Sequence, residues 1–297
     1  MSSVASLRQI RRRIRSVENT QKITRAMEMV AAAKLRRFQD FLESARPYTE
    51  KLEELLGRIS GMLPAGYTHP FLEKNAAVEK SAEPKKVALI VFTSDTGLCG
   101  TYNGVIEEAA RQWLKQNTDK KISLLFVGKH GANAFHKRGG HTLGLFSDLR
   151  VSRADKVLEG MRQSLEKAFM AGDVTEVHAA YTHMENLSRY EPRVEKILPI
   201  SSQSASPDTS VPYLVEPDNV TVLNRLLPAF FEARLRFIFY HALLTEQIAR
   251  MSAMRQATQN AKEMIEELTL QRNKARQASI TKEIIEIVSG SRALKLK

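Results

Sequence analysis

The run DNVTVLNRLLPAFFEARLRFIFYHALLTEQIARMSAMRQATQNAKEMIEELTLQRNKARQASITKEIIEIVSG, Asp218 to Gly290, contains no glycine until its last residue. Asp218 follows Pro217 and is placed to cap a helix with its carboxylate. Pro228 falls in the early turns, where it can bend the helix. About 70 helical residues span roughly 105 Å at 1.5 Å per residue. Helices of compact proteins average about 11 or 12 residues, so this segment requires an architecture that gives it a partner along most of its course.

The other end of the chain supplies one. From Val4 to Arg46 there is neither Gly nor Pro, and good helix formers dominate. Leu7, Ile10, Ile14 and Val17 step by three and four, as do Leu35, Phe38, Leu42 and Ala45, which is the seam of a coiled coil. Between them the sequence turns polar at Asn19, Thr20, Gln21 and Lys22. Pro47 predicts a kink, after which Leu52, Leu55, Leu56 and Ile59 resume the period until Gly61 and Pro64.

Between these helices the pattern changes to alternating strands and helices. Strands are predicted at Val87 to Phe92, Ile122 to Val127, Thr142 to Phe146, Val174 to Thr182 and Val194 to Ile200. Helices are predicted at Asn103 to Asn117, Ala132 to Lys137 and Arg153 to Met170. This order gives a Rossmann-like three-layer α/β domain with a largely parallel sheet. The predicted organisation is an N-terminal coiled-coil helix over 1–60, a linker over 61–84, the α/β domain over 85–200, a loop over 201–217 and a C-terminal coiled-coil helix over 218–297.

Two long helices on either side of a compact domain shield their apolar stripes most simply by pairing antiparallel. Aligned by equal rise from Leu56 near Val222, Val4 meets Lys274, and Asn19–Lys22 face Gln256–Gln259 as a polar patch. Residues after about 275 then have no helical partner of their own chain. That overhang holds Ile280, Ile284, Ile285, Ile287 and Val288, which implies a sheath of foreign protein.

Charge is distributed to match. The formal net charge is +12, and residues 1–40 together with 271–297 account for all of it, so both ends face a partner of negative potential. No apolar run is long enough to span a bilayer, and the arginine-rich start precedes no signal-like apolar segment, so a cytoplasmic protein is expected. A lone cysteine, Cys99, excludes a disulfide framework and fits a reducing compartment. No H-x-x-x-H pair suggests a metal. Gly97, Gly100 and Gly104 lack dinucleotide-fingerprint spacing, and nothing sets a base beside Cys99, so neither cofactor nor active site is expected. Two other classes stay open on residues alone: a basic coiled-coil nucleic-acid-binding or scaffold protein, and an α/β oxidoreductase with helical arms.

Three stretches, SVENTQKITRAMEMVAAAKLRR (Ser16–Arg37), TSDTGLCG (Thr93–Gly100) and NKARQASITKEIIEIVSG (Asn273–Gly290), resemble the γ subunits of F-type ATP synthases, in the expected order across essentially the whole chain. The resemblance implies a rotor shaft without catalysis of its own. Its helices stand inside a ring of α and β subunits, and its α/β domain and foot bind the ε subunit and the membrane ring of c subunits. Ion flow turns the shaft, which drives ATP synthesis at the β sites, and ATP hydrolysis reverses it. The expected location is peripheral, on the cytoplasmic face of the bacterial inner membrane. The basic ends suit an acidic loop that the family's β subunits present. Carried over by position, Met27 and Lys22 resemble the zone where shaft and β subunit couple, and Arg250 an arginine facing that zone. Arg276, Gln277, Thr281 and Glu283 resemble the polar group at the catch and tip bearing. Thr96 and Thr101 depart from the arginine and glycine usual in the family, and Cys99 alone excludes the two-cysteine switch of chloroplast forms.

Overall fold

The computed structural model describes residues 2–60, 67–72, 84–136, 141–186, 189–201 and 215–295. Most of the predicted linker 61–84 and loop 201–217 lies outside the described residues. Two helices dominate, α1 (Ser2–Ser60) and α5 (Asn219–Lys295). Both contribute to each of two compact units, Met1–Ala31 with Met251–Lys297, and Ala32–Arg250. The assigned helix α1 continues through Pro47. At the start of α5, Asp218 caps as expected: its carboxylate accepts from the Thr221 amide at 2.8 Å and the Thr221 hydroxyl at 2.7 Å, which holds the Asp218 carboxyl below its ordinary range.

In the first unit the helices pair antiparallel through a heptad seam. On α1, Ile14, Thr24 and Ala31 are buried, with Leu7, Ile10, Val17, Gln21 and Glu28 half-buried between them. On α5, Met254, Ala261, Leu268 and Ser279 are buried, and Thr258, Ile265, Arg272 and Ala275 fill the remaining three- and four-residue steps. Two cross-helix bonds mark the register. The Thr258 hydroxyl donates to that of Thr24 at 2.8 Å, and Arg255 pairs with Glu28 at 2.9 Å.

This register corrects the equal-rise alignment by about one turn. That alignment sets Thr24 against Met254, whereas Thr24 meets Thr258. Which seam side chains interlock decides register, and a uniform rise counted from a distant anchor does not contain that information. The seam's polar step shifts too. Asn19, Thr20 and Lys22 are exposed, and Gln21, Thr24 and Thr258 are the polar residues turned inward.

The second unit holds a five-stranded sheet of order β3-β2-β1-β4-β5. Its strands are β1 (Lys86–Phe92), β2 (Lys121–Val127), β3 (Thr142–Phe146), β4 (Glu176–Asn186) and β5 (Arg189–Leu198). The first four are parallel, and β5 returns antiparallel on β4. Helix α2 (Tyr102–Gln116) follows β1, α3 (Lys129–Phe135) follows β2 and α4 (Ala154–Met170) precedes β4. Strand β1 shows why the sheet sits between layers. Leu89 and Val91 join α2 and α3 in one core, while Ala88, Ile90 and Phe92 join α4, α1 and α5 in the other.

The second core is rich in rings. Phe71 lies 5.6 Å from both Phe169 and Phe231, and at the edge of this core the exposed Phe41 stacks on Tyr240 at 5.1 Å. Within it α5 is closed off on all sides, and every residue from His241 to Arg250 is buried. His241 stacks on His183 of β4 at 4.9 Å and 5°, with its Nδ1 3.3 Å from the Thr182 carbonyl. Burial, and then the neighbouring His183, lower the His241 pKa to about 4.

Two outcomes follow from this packing. Gly128 has φ +87°, and a Cβ there would lie 2.1 Å from the Thr93 carbonyl oxygen. Gly128→Ala is therefore expected to lower unfolding stability by about 3 kcal/mol or more in a denaturant titration. For His241 the folded pKa is depressed, so the unfolded chain binds the proton first. Stability is full above the unfolded value near 6.5 and falls as pH drops toward about 4. The loss is on the order of 3 kcal/mol, and His241→Phe should flatten the pH dependence of the melting temperature across that window.

Candidate partner-binding surfaces

Beyond Ser279 the seam finds no partner among the described residues. Residues 280–291 are all exposed, which puts the end of the paired region a turn later than residue 275. Ile280, Ile284, Ile285, Ile287 and Val288 stand in water, Ile287 at 71% exposure. Five large aliphatic side chains on one exposed helical segment make an interaction surface rather than scattered surface hydrophobes. Charged and polar groups run among them. Arg276, Gln277, Thr281 and Glu283 are all exposed, and Glu283 accepts from the Ser279 hydroxyl at 3.4 Å. The expected residues of the tail therefore share one solvent-facing stretch.

A second surface lies on α1. Lys22 is exposed and Met27 half-buried. Ile23 and Val30, at 60% and 56% exposure, stand seven residues apart with Ala26 and Met27 between them, which forms an apolar stripe facing away from the seam. Sequence reasoning passed over Ile23, Met29 and Val30. Their signal was present, since AMEMVAAA has more apolar residues than one seam can take.

Arg250 has a different setting. It is buried, its Nη1 pairs with Glu246 at 2.6 Å, and its Nη2 donates to the Thr96 carbonyl at 2.9 Å and the Thr96 hydroxyl at 3.2 Å. Thr96 is thus an acceptor for α5. Thr101 is exposed and lines a shallow groove of about 510 Å³ over α2 with Gly100, Gly104 and Glu108.

The loop after β1 stands where open α/β sheets usually place ligands, at the carboxyl ends of the strands beside the point of order reversal. Here α5 fills that position. Besides Arg250, the Tyr102 hydroxyl donates to the Ala242 carbonyl at 3.0 Å. Cys99 is buried, with the Asn103 amide 3.4 Å from its sulfur, the setting of a packed core thiol rather than a nucleophile beside a base. Among the described residues no cluster of three His, Cys, Asp or Glu could hold a metal ion, and no helix is long and apolar enough to cross a membrane.

Comparison with known proteins gives one answer. A family model described as ATP synthase matches residues 6–294. The ATP synthase gamma chain of Pelotomaculum thermopropionicum is 40% identical over 296 residues, covering 98% of this chain and 99% of that one. That of Azoarcus sp. is 38% identical over 296 residues, covering 98% and 100%. Among solved structures, a chain of the Euglena gracilis mitochondrial ATP synthase (OSCP/F1/c-ring, rotational state 3) superposes with a TM-score of 0.61 at 18% identity, covering 98% of this chain and 95% of that one. A chain of the Tetrahymena thermophila mitochondrial ATP synthase central stalk/c-ring assembly gives 0.53 at 21% identity, covering 79% and 99%. At these identities the solved structures speak for the fold.

If the exposed tail is a binding surface, Ile284→Asp with Ile287→Asp should leave the folding of the chain unchanged within about 0.5 kcal/mol, as read by circular dichroism and denaturant midpoint. The same pair should abolish capture of the chain by its partner proteins in a pull-down.

Proposed function

We infer the role of this chain from its family: it belongs to the ATP synthase gamma chains, and its work is that of the central stalk. The observation that carries the reading is the tail, where 280–291 expose an aliphatic row that the chain itself does not cover. In the proposed assembly that row, with Arg276, Gln277, Thr281 and Glu283, turns inside a collar of α and β subunits. Lys22 and Met27, beside the Ile23–Val30 stripe, form a second contact zone with β. The α/β domain and the lower ends of the helices bind the ε subunit and the membrane c ring, so association with the membrane is peripheral, on the cytoplasmic face of a bacterial inner membrane. The rival nucleic-acid reading draws only on the basic ends, which an acidic collar explains equally.

The physical mechanism is linkage. A shaft can drive a catalytic site only by binding its open and closed states with different free energies, so an asymmetric surface, turned, favours each state in succession. The row of five aliphatic residues on an otherwise polar tail supplies such an asymmetry. Ion flow through the c ring turns the shaft for synthesis, and hydrolysis turns it back. The chain contributes no catalytic group.

The deciding experiment is co-purification. The chain is expected to elute from a sizing column with three α and three β subunits, and elution alone in their presence would refute the reading. Arg276→Ala with Gln277→Ala should lower coupled ATP synthesis about tenfold, the equivalent of about 1.4 kcal/mol of lost contact energy, while the α/β domain keeps its melting temperature. Undiminished synthesis would remove both residues from the contact surface.

A further inference from the structure

Glu246 and Arg250 lie one turn apart on α5, both buried, with their charges 2.6 Å apart. An ion pair between two groups of one helix needs no burial, and a buried pair is weak evidence for stability because desolvation opposes it. Burial pushes the Glu246 carboxyl up while Arg250 draws it down, and Lys34 of α1 and Asp95 add fields of opposite sign.

What the pair does accomplish is geometric. The guanidinium reaches off the helix to the loop after β1, donating to the Thr96 carbonyl and hydroxyl and lying 3.4 Å from the Gly97 carbonyl. The Thr96 carbonyl also accepts from the Ser94 hydroxyl at 2.8 Å. Asp95 accepts from the Leu149 amide at 2.8 Å and the Lys129 amide at 3.3 Å, which ties the same loop to the segments after β2 and β3. At its apex Leu98 has φ 63° and is 61% exposed. A leucine in the left-handed region persists only where its surroundings over-determine the backbone, and such strain marks working sites.

We propose that Glu246 and Arg250 are a positioning pair, which locks the Thr93–Gly100 loop to α5 so that the helix and the α/β domain turn as one body under load. Glu246 aims the planar guanidinium, and the guanidinium's second nitrogen holds the loop. Holding Glu246 on one nitrogen and Thr96 on the other takes a planar fork, which the single ammonium of lysine does not provide. The proposal rests on the central-stalk reading.

The test compares Arg250→Ala, Arg250→Lys and Glu246→Gln in the complete ATP synthase in membrane vesicles and in the detached complex of α, β and this chain. With Arg250→Ala, amide exchange at Thr96–Gly100 should quicken at least about tenfold while β1 and β2 amides stay protected. ATP-driven ion pumping per ATP hydrolysed should fall severalfold while the ATPase rate of the detached complex stays near wild type. Glu246→Gln, which changes shape least, should show the same split more weakly, and Arg250→Lys should recover part of it. Unchanged loop exchange overturns the proposal, as does faster exchange with unaltered pumping. A parallel fall in the detached complex's ATPase overturns it too, by assigning Arg250 to the catalytic ring. Failure of the unaltered chain to assemble with α and β would instead sink the central-stalk reading beneath it.

Discussion

Between His241 and Arg250 α5 presents no face to water. The sheet and α2 close one side of it, and Phe38 and Leu42 of α1 share the core on the other. Most polar side chains of a helix enclosed in this way find partners within the protein, though the buried Gln247 Oε1 has none among the described residues. His241 meets the Thr182 carbonyl, Thr245 returns to the His241 carbonyl at 2.7 Å and Arg250 meets Glu246 and Thr96. The enclosure fixes where the β1 loop lies and how the strand ends are filled. It also fixes why an α/β domain of ligand-binding topology has its crevice occupied by its own chain. Outside that stretch α5 is progressively uncovered, and function is found where cover ends.

Much of this was legible in the sequence because it follows from local rules. The cap at Asp218, the three-four stepping from Leu7 to Val17 and the β-rich run Val87–Phe92 each declare their structure through nearest-neighbour chemistry. The exposed row from Ile280 to Val288 was visible too, since an apolar stripe without an opposing one is a property of composition. The resemblance added the role, and the matches over nearly the whole chain bear it out.

The rest depends on contacts that local rules do not encode. The seam register missed by about a turn, because Thr24 and Thr258 look like any pair of small polar residues until they meet at 2.8 Å. The turn of β5 back along β4 could not be read, since Arg189–Leu198 alternates charged and apolar residues equally well in either direction. Arg250 was expected from the resemblance to face the coupling zone, and its burial against Glu246 and Thr96 could not be read from its neighbours in sequence. Only its position in the enclosed decade turns it inward. Met29 and the Ile23–Val30 stripe were masked by the neighbouring seam, whose period they share from the opposite face.

The seam of the first unit mixes short side chains, among them Thr24, Ala31, Thr258, Ala261, Ala275 and Ser279, with larger apolar ones at Leu7, Ile10, Ile14, Val17, Met254, Ile265 and Leu268. Less hydrocarbon leaves water per residue there than in a core filled with rings, so the pairing carries a smaller heat-capacity change per residue. The aromatic core of the second unit carries most of the curvature. Warming and cooling therefore tune the two units differently.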